Sequence, residues 1–341
     1  MSKRKLSKRQ KQRIQSIQER RRERAEDKGI GTEDLQDDMQ DLGPETTGTV
    51  ITNYGSQVDI EGDKEPYQGR VLRCFKRANI ESLVTGDKVV WRPAEENGVV
   101  VARQPRQSEL MRPDNYGKVR PVAANIDRIA IVFAPQPKPQ SNLIDRYLVA
   151  AESHNIQPFI VVNKSDLLID NQYPQLDQLI ENYKFVGYEV ICASAKDLSG
   201  IDQLKAHLAQ HTSIFVGQSG VGKSSLLNVL QPLNNSAIGA LSVATNEGTH
   251  TTTASKLVHL EGSGVLIDSP GIREFALTHF DRESISYGFK DFRPYLGKCK
   301  FRDCQHDKEI GCAILAAVAE GKILKDRLHN YRQILQSQNL D

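Results

Sequence analysis

Gly217-Gln218-Ser219-Gly220-Val221-Gly222-Lys223-Ser224 is the stretch on which the fold of this chain turns. It fits G-x-x-x-x-G-K-[ST], the phosphate-binding loop that joins a strand to a helix. Gly217, Gly220 and Gly222 let backbone N–H groups approach phosphate oxygens. A helix beginning near Lys223 points its positive end at the same place. Lys223 would neutralise β/γ-phosphate charge and Ser224 would ligate Mg²⁺, while Gln218, Ser219, Val221 and Ser225 complete the loop. An apolar strand over 213–216 and a helix over 223–230 supply the context this motif requires.

Upstream stands Asn163-Lys164-Ser165-Asp166, at the end of a strand expected over 157–162. Asp166 could accept hydrogen bonds from guanine N1–H and N2–H₂. Adenine offers no such donor pair, and a site left unpaired in this way discriminates by about 10,000-fold or more. Lys164 would lie along one face of the base, and Asn163 would tie this loop to the phosphate loop. Ser194-Ala195-Lys196 follows the next strand, where GTPases place backbone contacts to guanine O6. Alone, the four-residue segment reads equally as a polar turn, and the set strengthens it. In ordinary GTPases the phosphate loop comes first and the base reader last. The reversed order here points to a circularly permuted GTPase.

Gly264-Val265-Leu266-Ile267-Asp268-Ser269-Pro270-Gly271 adds a second metal-side element. Asp268 would hold Mg²⁺ through water, and the Gly271 amide would meet the γ-phosphate. Between the two lies Gly248-Thr249-His250-Thr251-Thr252-Thr253, where one threonine should reach Mg²⁺ when GTP is bound. Thr252 is favoured, with Thr251 and Thr253 as alternatives. Ras-like enzymes orient the attacking water with a glutamine just after Asp-x-x-Gly. Here that position is Ile272, so intrinsic hydrolysis should be slow, or another residue must place the water. His250 is the candidate, with a partner contact as the competing reading.

Strands and helices alternate from about residue 122, which predicts a mostly parallel sheet covered on both faces. Before it, β-rich runs at 48–52, 57–60, 70–75, 88–92 and 99–103 suit a small OB-type barrel. Arg70, Arg73, Lys76, Arg77, Arg92 and Arg103 would give the barrel basic edges for RNA, or are ordinary surface charge. Residues 1–25 hold eleven Lys/Arg against two acids, and residues 26–45 hold eight acids against Lys28, although the whole chain nets only +2. The basic block suggests a polyanion partner or a solvated tail.

Cys299, Cys304, His306 and Cys312 offer three thiolates and an imidazole within fourteen residues. That set suits a closed, structural Zn²⁺ site, with a disulfide plus a free thiol as the alternative. A final helix is predicted over 313–336. The charged N-terminus predicts no secretory signal, and the longest apolar run, 129–134, is too short for a bilayer span. Five cysteines make no disulfide framework and favour a reducing cytoplasm.

The expected architecture is therefore multidomain. It comprises a flexible tail over 1–45, an N-terminal OB-type β-barrel over 46–105, a central circularly permuted α/β P-loop GTPase domain over 106–278, and a C-terminal helical zinc-binding domain over 279–341. This combination resembles the ribosome small-subunit-dependent GTPase A family, RsgA, over roughly residues 46–341. The resemblance implies a cytoplasmic factor acting late in small ribosomal subunit maturation. It would bind that subunit near its decoding region, hydrolyse GTP to GDP there, and touch rRNA with its barrel and zinc unit. Nothing in the sequence requires a membrane or more than a monomer. Two other readings stay open: an RNA-binding assembly scaffold in which GTP is structural or regulatory, and an ATP-using P-loop enzyme, against which Asp166 argues.

Overall fold

The structure, a computed structural model, describes residues 42–77, 80, 82–95, 97–113, 118–168, 172–231, 255–268 and 280–338. The charged tail up to residue 41, the 248–253 run with His250 and Thr252, and Gly271 and Ile272 lie outside the described residues.

Among the first five strands, the second and fourth alternate buried apolar with more accessible positions, as in a one-sided sheet, whereas the first is buried continuously over 48–52. The five are β1 (Thr46–Asn53), β2 (Gln57–Gly62), β3 (Val71–Lys76), β4 (Lys88–Arg92) and β5 (Gly98–Arg103). β1 pairs with β2, β2 with β3, β3 in parallel with β5, β5 with β4, and β4 returns to β1, so the barrel closes. Val50, Val58, Ile60, Cys74, Val89, Trp91 and Val100 fill it, each fully buried. A Cβ at Gly48 would stand 2.7 Å from Trp91 Nε1, so only glycine lets β1 cross the indole. Arg92, read as a basic edge, instead donates to the carbonyls of Leu42 and Gly43 and anchors the chain entering the barrel.

A hairpin that the sequence pattern did not disclose follows, β6 (Glu109–Pro113) with β7 (Val119–Ala124). Pro113 and Pro121 lack N–H donors, and Glu109, Arg112 and Arg120 interrupt any apolar alternation, so no strand signal survives.

The central sheet is built from β8 (Arg128–Phe133), β9 (Gln157–Val162), β10 (Val190–Cys192), β11 (Thr212–Val216), β12 (Lys256–His259) and β13 (Val265–Asp268). Its order is β10-β9-β8-β11-β13-β12, parallel except for β12, which runs antiparallel to β13. β8 shows why the sheet is covered on both faces. Ile129, Ile131 and Phe133 enter one core with α1 (Ser141–Ser153) and α2 (Pro174–Val186). Ala130 and Val132 enter a second core with α3 (Ile201–Leu208) and α4 (Lys223–Leu230). The barrel joins this sheet edge-on, because β1 also pairs with β12 at Thr52 and Lys256. At the other end of β12, His259 Nε2 meets Glu61 on β2 at 2.7 Å, and that carboxylate holds the imidazole above its ordinary pKa.

The C-terminal region carries α5 (Arg282–Gly288), α6 (Ala313–Ala319) and α7 (Lys325–Ser337). The single helix expected over 313–336 is thus two, because Gly321, at φ 71°, turns the chain after α6. These helices build no separate core. Phe289, Phe292, Tyr331 and Leu335 belong to the same core as α1 and β8.

A buried polar network fixes that junction. Asp145 of α1, fully buried, receives Arg327 Nη1, Asn330 Nδ2 at 2.7 Å and Tyr183 Oη at 2.9 Å. Arg327 also reaches Asp291 at 2.7 Å and lies over the Phe289 ring. Burial pushes the Asp145 carboxyl up, against the pull of Arg327 and its other donors. Removing one partner strands the other charge in the interior. The Arg327→Ala variant is expected to lose about 3–5 kcal/mol of stability, read from urea unfolding. A loss under about 1 kcal/mol would show that the network behaves as a surface pair.

Candidate functional site

β11 is buried along its length and ends at Gly217, where the phosphate loop begins. Two glycines there are obligatory. A Cβ on Gly217 would lie 2.0 Å from Val132 O, and one on Gly222 would lie 2.3 Å from Asn163 Nδ2. Lys223 Nζ curls back and donates to the carbonyls of Gly217 and Gln218 at 2.8 Å each. The ammonium therefore sits inside the loop that its charge would serve. Ser224 and Ser225 are exposed in the first turn of α4, whose free N–H groups favour an anion.

The base-reading loop comes off β9, two strands away, and one side chain brings it to the phosphate loop. Asn163, 1% exposed, donates through Nδ2 to Val221 O at 2.8 Å and Gly222 O at 3.3 Å. Lys164 takes the left-handed conformation, φ 59°. Its Nζ donates to Gly220 O and Gln136 O, each at 2.8 Å, so its stem crosses from one loop to the other. Asp166 follows two residues on, its side chain largely covered. Ser194, fully buried after β10, donates its hydroxyl to Asp166 Oδ1 at 2.8 Å. The amides of Lys196 and Asp197 donate to the Ser194 oxygen at 3.2 and 3.3 Å, which leaves the Ser194 proton committed to Asp166. Lys196 Nζ stands 3.5 Å from Asp166 Oδ2. Ser165 shares a hydroxyl contact with Ser199 at 3.1 Å.

Asp268 ends β13, next to β11 in the sheet. Burial pushes its carboxyl up, and the nearby Lys223 ammonium pulls it down. The described residues expected to bind nucleotide thus meet at one carboxyl edge, where open α/β sheets take ligands. Gly271, His250 and Thr252 lie outside the described residues. The sequence reading missed Gln136 and Ser199. The Pro135-Gln136-Pro137 turn directly after the apolar β8 run was the signal available for the first.

Cys299, Cys304, His306 and Cys312 form the second centre, with all four ligand atoms within 4.8 Å of one another. His306 Nδ1 lies 3.6, 3.5 and 3.3 Å from the sulfurs of Cys299, Cys304 and Cys312, and Cys299 Sγ lies 3.9 Å from Cys312 Sγ. A tetrahedron with metal–sulfur bonds of about 2.3 Å and metal–nitrogen bonds of about 2.0 Å has S–S edges of about 3.8 Å and S–N edges of about 3.5 Å. The four donors therefore fit a zinc-sized ion. Burial lowers the His306 pKa, the direction that favours a neutral ligand, and pushes the Cys304 thiol up to about 12, so a metal would displace thiol protons on binding. The amides of Ala313 and Leu315 point at the Cys299 and Cys312 sulfurs.

Glu309, also absent from the sequence reading, staples the metal loop. Its carboxylate accepts the amides of Gln305, Asp307 and Lys308 at 2.9, 2.8 and 3.1 Å. Those backbone N–H groups, with its own, drop its carboxyl to about 2. Arg332 of α7 donates to the His306 carbonyl at 2.8 Å.

A family model described as the RsgA GTPase matches residues 103–278. The chain is 51% identical over 338 residues to the small ribosomal subunit biogenesis GTPase RsgA of Hahella chejuensis, covering 99% of this chain and 97% of that one. The chain belongs to the RsgA GTPase family. The RsgA of Pseudomonas aeruginosa is similarly close, 51% identical over 338 residues with 99% and 98% covered. Among solved structures, YjeQ from Thermotoga maritima superposes with a TM-score of 0.70 at 28% identity, over 86% of this chain and 99% of that one. YloQ, a circularly permuted GTPase, superposes with a TM-score of 0.67 at 30% identity, over 87% and 96%. The inverted motif order is thus a property of the RsgA fold, and the protein is a GTP hydrolase.

Two tests follow from the geometry of this RsgA member. Ser194→Ala removes the hydroxyl that aims Asp166, and is expected to weaken GDP binding about tenfold by calorimetric titration. Unchanged GDP affinity would remove Ser194 from base recognition. Glu309→Ala frees the metal loop and is expected to weaken zinc retention about tenfold against a competing chelator. Equal retention by both proteins would show that the four ligands hold the loop unaided.

Proposed function

We propose that this protein is a GTPase of small ribosomal subunit biogenesis, slow alone and accelerated by the subunit, whose GTP hydrolysis accompanies a late step of subunit maturation. Support comes from full-length similarity to relatives bearing that name. The observation that carries the nucleotide choice is Asp166, oriented by Ser194 and held beside the phosphate loop by Asn163.

In this reading Asp166 accepts guanine N1–H and N2–H₂, Lys164 lies along the base, and Ser194, Ala195 and Lys196 line its O6 side. Residues 217–225 hold the phosphates, with Lys223 against the β/γ oxygens. Ser224, Asp268 and Thr252 would hold Mg²⁺, which supplies charge neutralisation at the phosphates when bound. The Gly271 amide would meet the γ-phosphate, and His250 would place the attacking water that Ile272 cannot. Cys299, Cys304, His306 and Cys312 would hold one structural Zn²⁺. The protein would act as a cytoplasmic monomer in three units, 46–105, 106–278 and 279–341, with barrel and zinc unit against rRNA. On the barrel, Arg73 is tied to Asp59 and stacks on exposed Tyr54, with exposed Phe75 two residues further along β3. A cationic surface interleaved with aromatic rings suits single-stranded RNA.

Ile272 favours one rival, an assembly scaffold in which GTP is structural. GTP turnover with and without purified small subunits, with ATP as control, separates the two. A subunit-dependent rise of about tenfold or more, confined to GTP and lost in His250→Ala, is expected. No rise would sink the partner, and full stimulation of His250→Ala would free that residue from catalysis.

A further inference from the structure

Between the barrel and the Mg²⁺ end of the nucleotide site lies one short loop, Val84-Thr85-Gly86-Asp87, which joins the region after β3 to β4. Its surroundings are tightly specified. Asp87, fully buried, accepts the Val84 amide at 2.7 Å and is gripped in two-point fashion by Arg106 at 2.7 and 2.9 Å. The Gly86 amide donates to Val50 O at 2.9 Å, and Asn125 Nδ2 donates to Gly86 O at 2.8 Å. A buried, hydrogen-bonded loop of this kind transmits displacement instead of absorbing it.

The loop touches the strand pair that carries Asp268. Thr85, 2% exposed, donates its hydroxyl to the carbonyl of Ser255 at 2.9 Å. Ser255 directly precedes Lys256, and Lys256 is the register partner of Asp268 across the β12–β13 pair. Gly86 stands over Ile267, the residue before Asp268; a Cβ on Gly86 would lie 3.3 Å from Ile267 Cδ1 and 2.1 Å from Ala124 O. The same β12 end carries the Thr52–Lys256 pairing.

We propose that Thr85 is a positioning residue for GTP hydrolysis. Through Ser255 the barrel sets where β12 begins, and so aligns Asp268, the register partner of Lys256, with the phosphates. An RNA seated on the barrel would then reach the hydrolytic end of the site through this hydroxyl, a step that rests on the GTPase reading above. The residue touches no substrate. Its effect belongs to the rate of cleavage and not to the grip on guanine, which Asp166 would supply from the opposite side of the phosphate loop.

The full-length Thr85→Val and Thr85→Ser variants test this by single-turnover GTP cleavage, alone and on small subunits, beside GDP titration. Valine keeps the shape and removes the donor; serine keeps the donor. Thr85→Val is expected to cleave about tenfold more slowly in both settings with GDP affinity within about twofold, and Thr85→Ser to stay within about twofold of wild type in both. Wild-type cleavage by Thr85→Val, equal defects in the valine and serine proteins, or a parallel loss of GDP affinity would each overturn the proposal. Should Thr85→Val fail to fold, Thr85→Ala takes its place with the same expectations. Wild type unstimulated by subunits would sink the partner reading, while the rates measured alone still decide Thr85.

Discussion

One buried carboxamide holds the nucleotide site in register. Asn163 reaches from the loop after β9 to Val221 and Gly222 in the loop after β11. In a permuted chain, nothing about connectivity keeps the base reader beside the phosphate loop. Their distance is set by the spatial order β9-β8-β11 and by this cross-tie. Parallel strands aim all their carboxyl ends at one edge, so cutting the chain elsewhere leaves that edge intact. The Gly222 backbone must come close enough for the amide to reach it, which is why a side chain there has no room.

The C-terminal unit depends on the same frame. α1 begins just after the Gln136 loop that receives Lys164, and its Asp145 holds Arg327 and Asn330 of α7. One helix thus starts beside the loop that receives Lys164 and anchors the C-terminal helices within its first two turns. Burying charges costs several kcal/mol per ion unless every group is met. That explains why Asp145, Asp291, Arg327, Asn330 and Tyr183 form a closed set, whereas an exposed pair such as Lys184–Glu181 contributes little.

The metal loop follows a different logic. Residues 299–312 place only Cys312 among the fully apolar core, and short segments with little burial need a metal or disulfide staple. Three sulfurs and an imidazole around one point could take such a metal, with Glu309 and Arg332 holding the backbone between them. At the other end of the molecule, β1 makes barrel and central sheet continuous through β12. The barrel is therefore a neighbour of the nucleotide edge and not a bead on a linker.

The phosphate-loop pattern, the Asn163–Asp166 segment, Asp268 and the Cys/His cluster could be picked out because each combines particular residue types at fixed spacing over a few residues. The barrel strands and the central sheet were legible because burial on one face or two writes a period into the chain. The β6–β7 hairpin was not, since its prolines and charges erase that period. The break at Gly321 was hidden inside a stretch of good helix formers. Ser194 was named for a backbone contact, yet its hydroxyl aims Asp166; Gln136 shows only the prolines that flank it, and Glu309 and Thr85 carry no local signal at all. Their roles arise from partners 28 to 170 residues distant, or from backbone amides gathered by a turn. Local chemistry and periodicity are properties of the sequence alone. Which carbonyl a hydroxyl finds, and which helix a buried arginine must neutralise, is decided only when close packing leaves each polar group a single partner within reach.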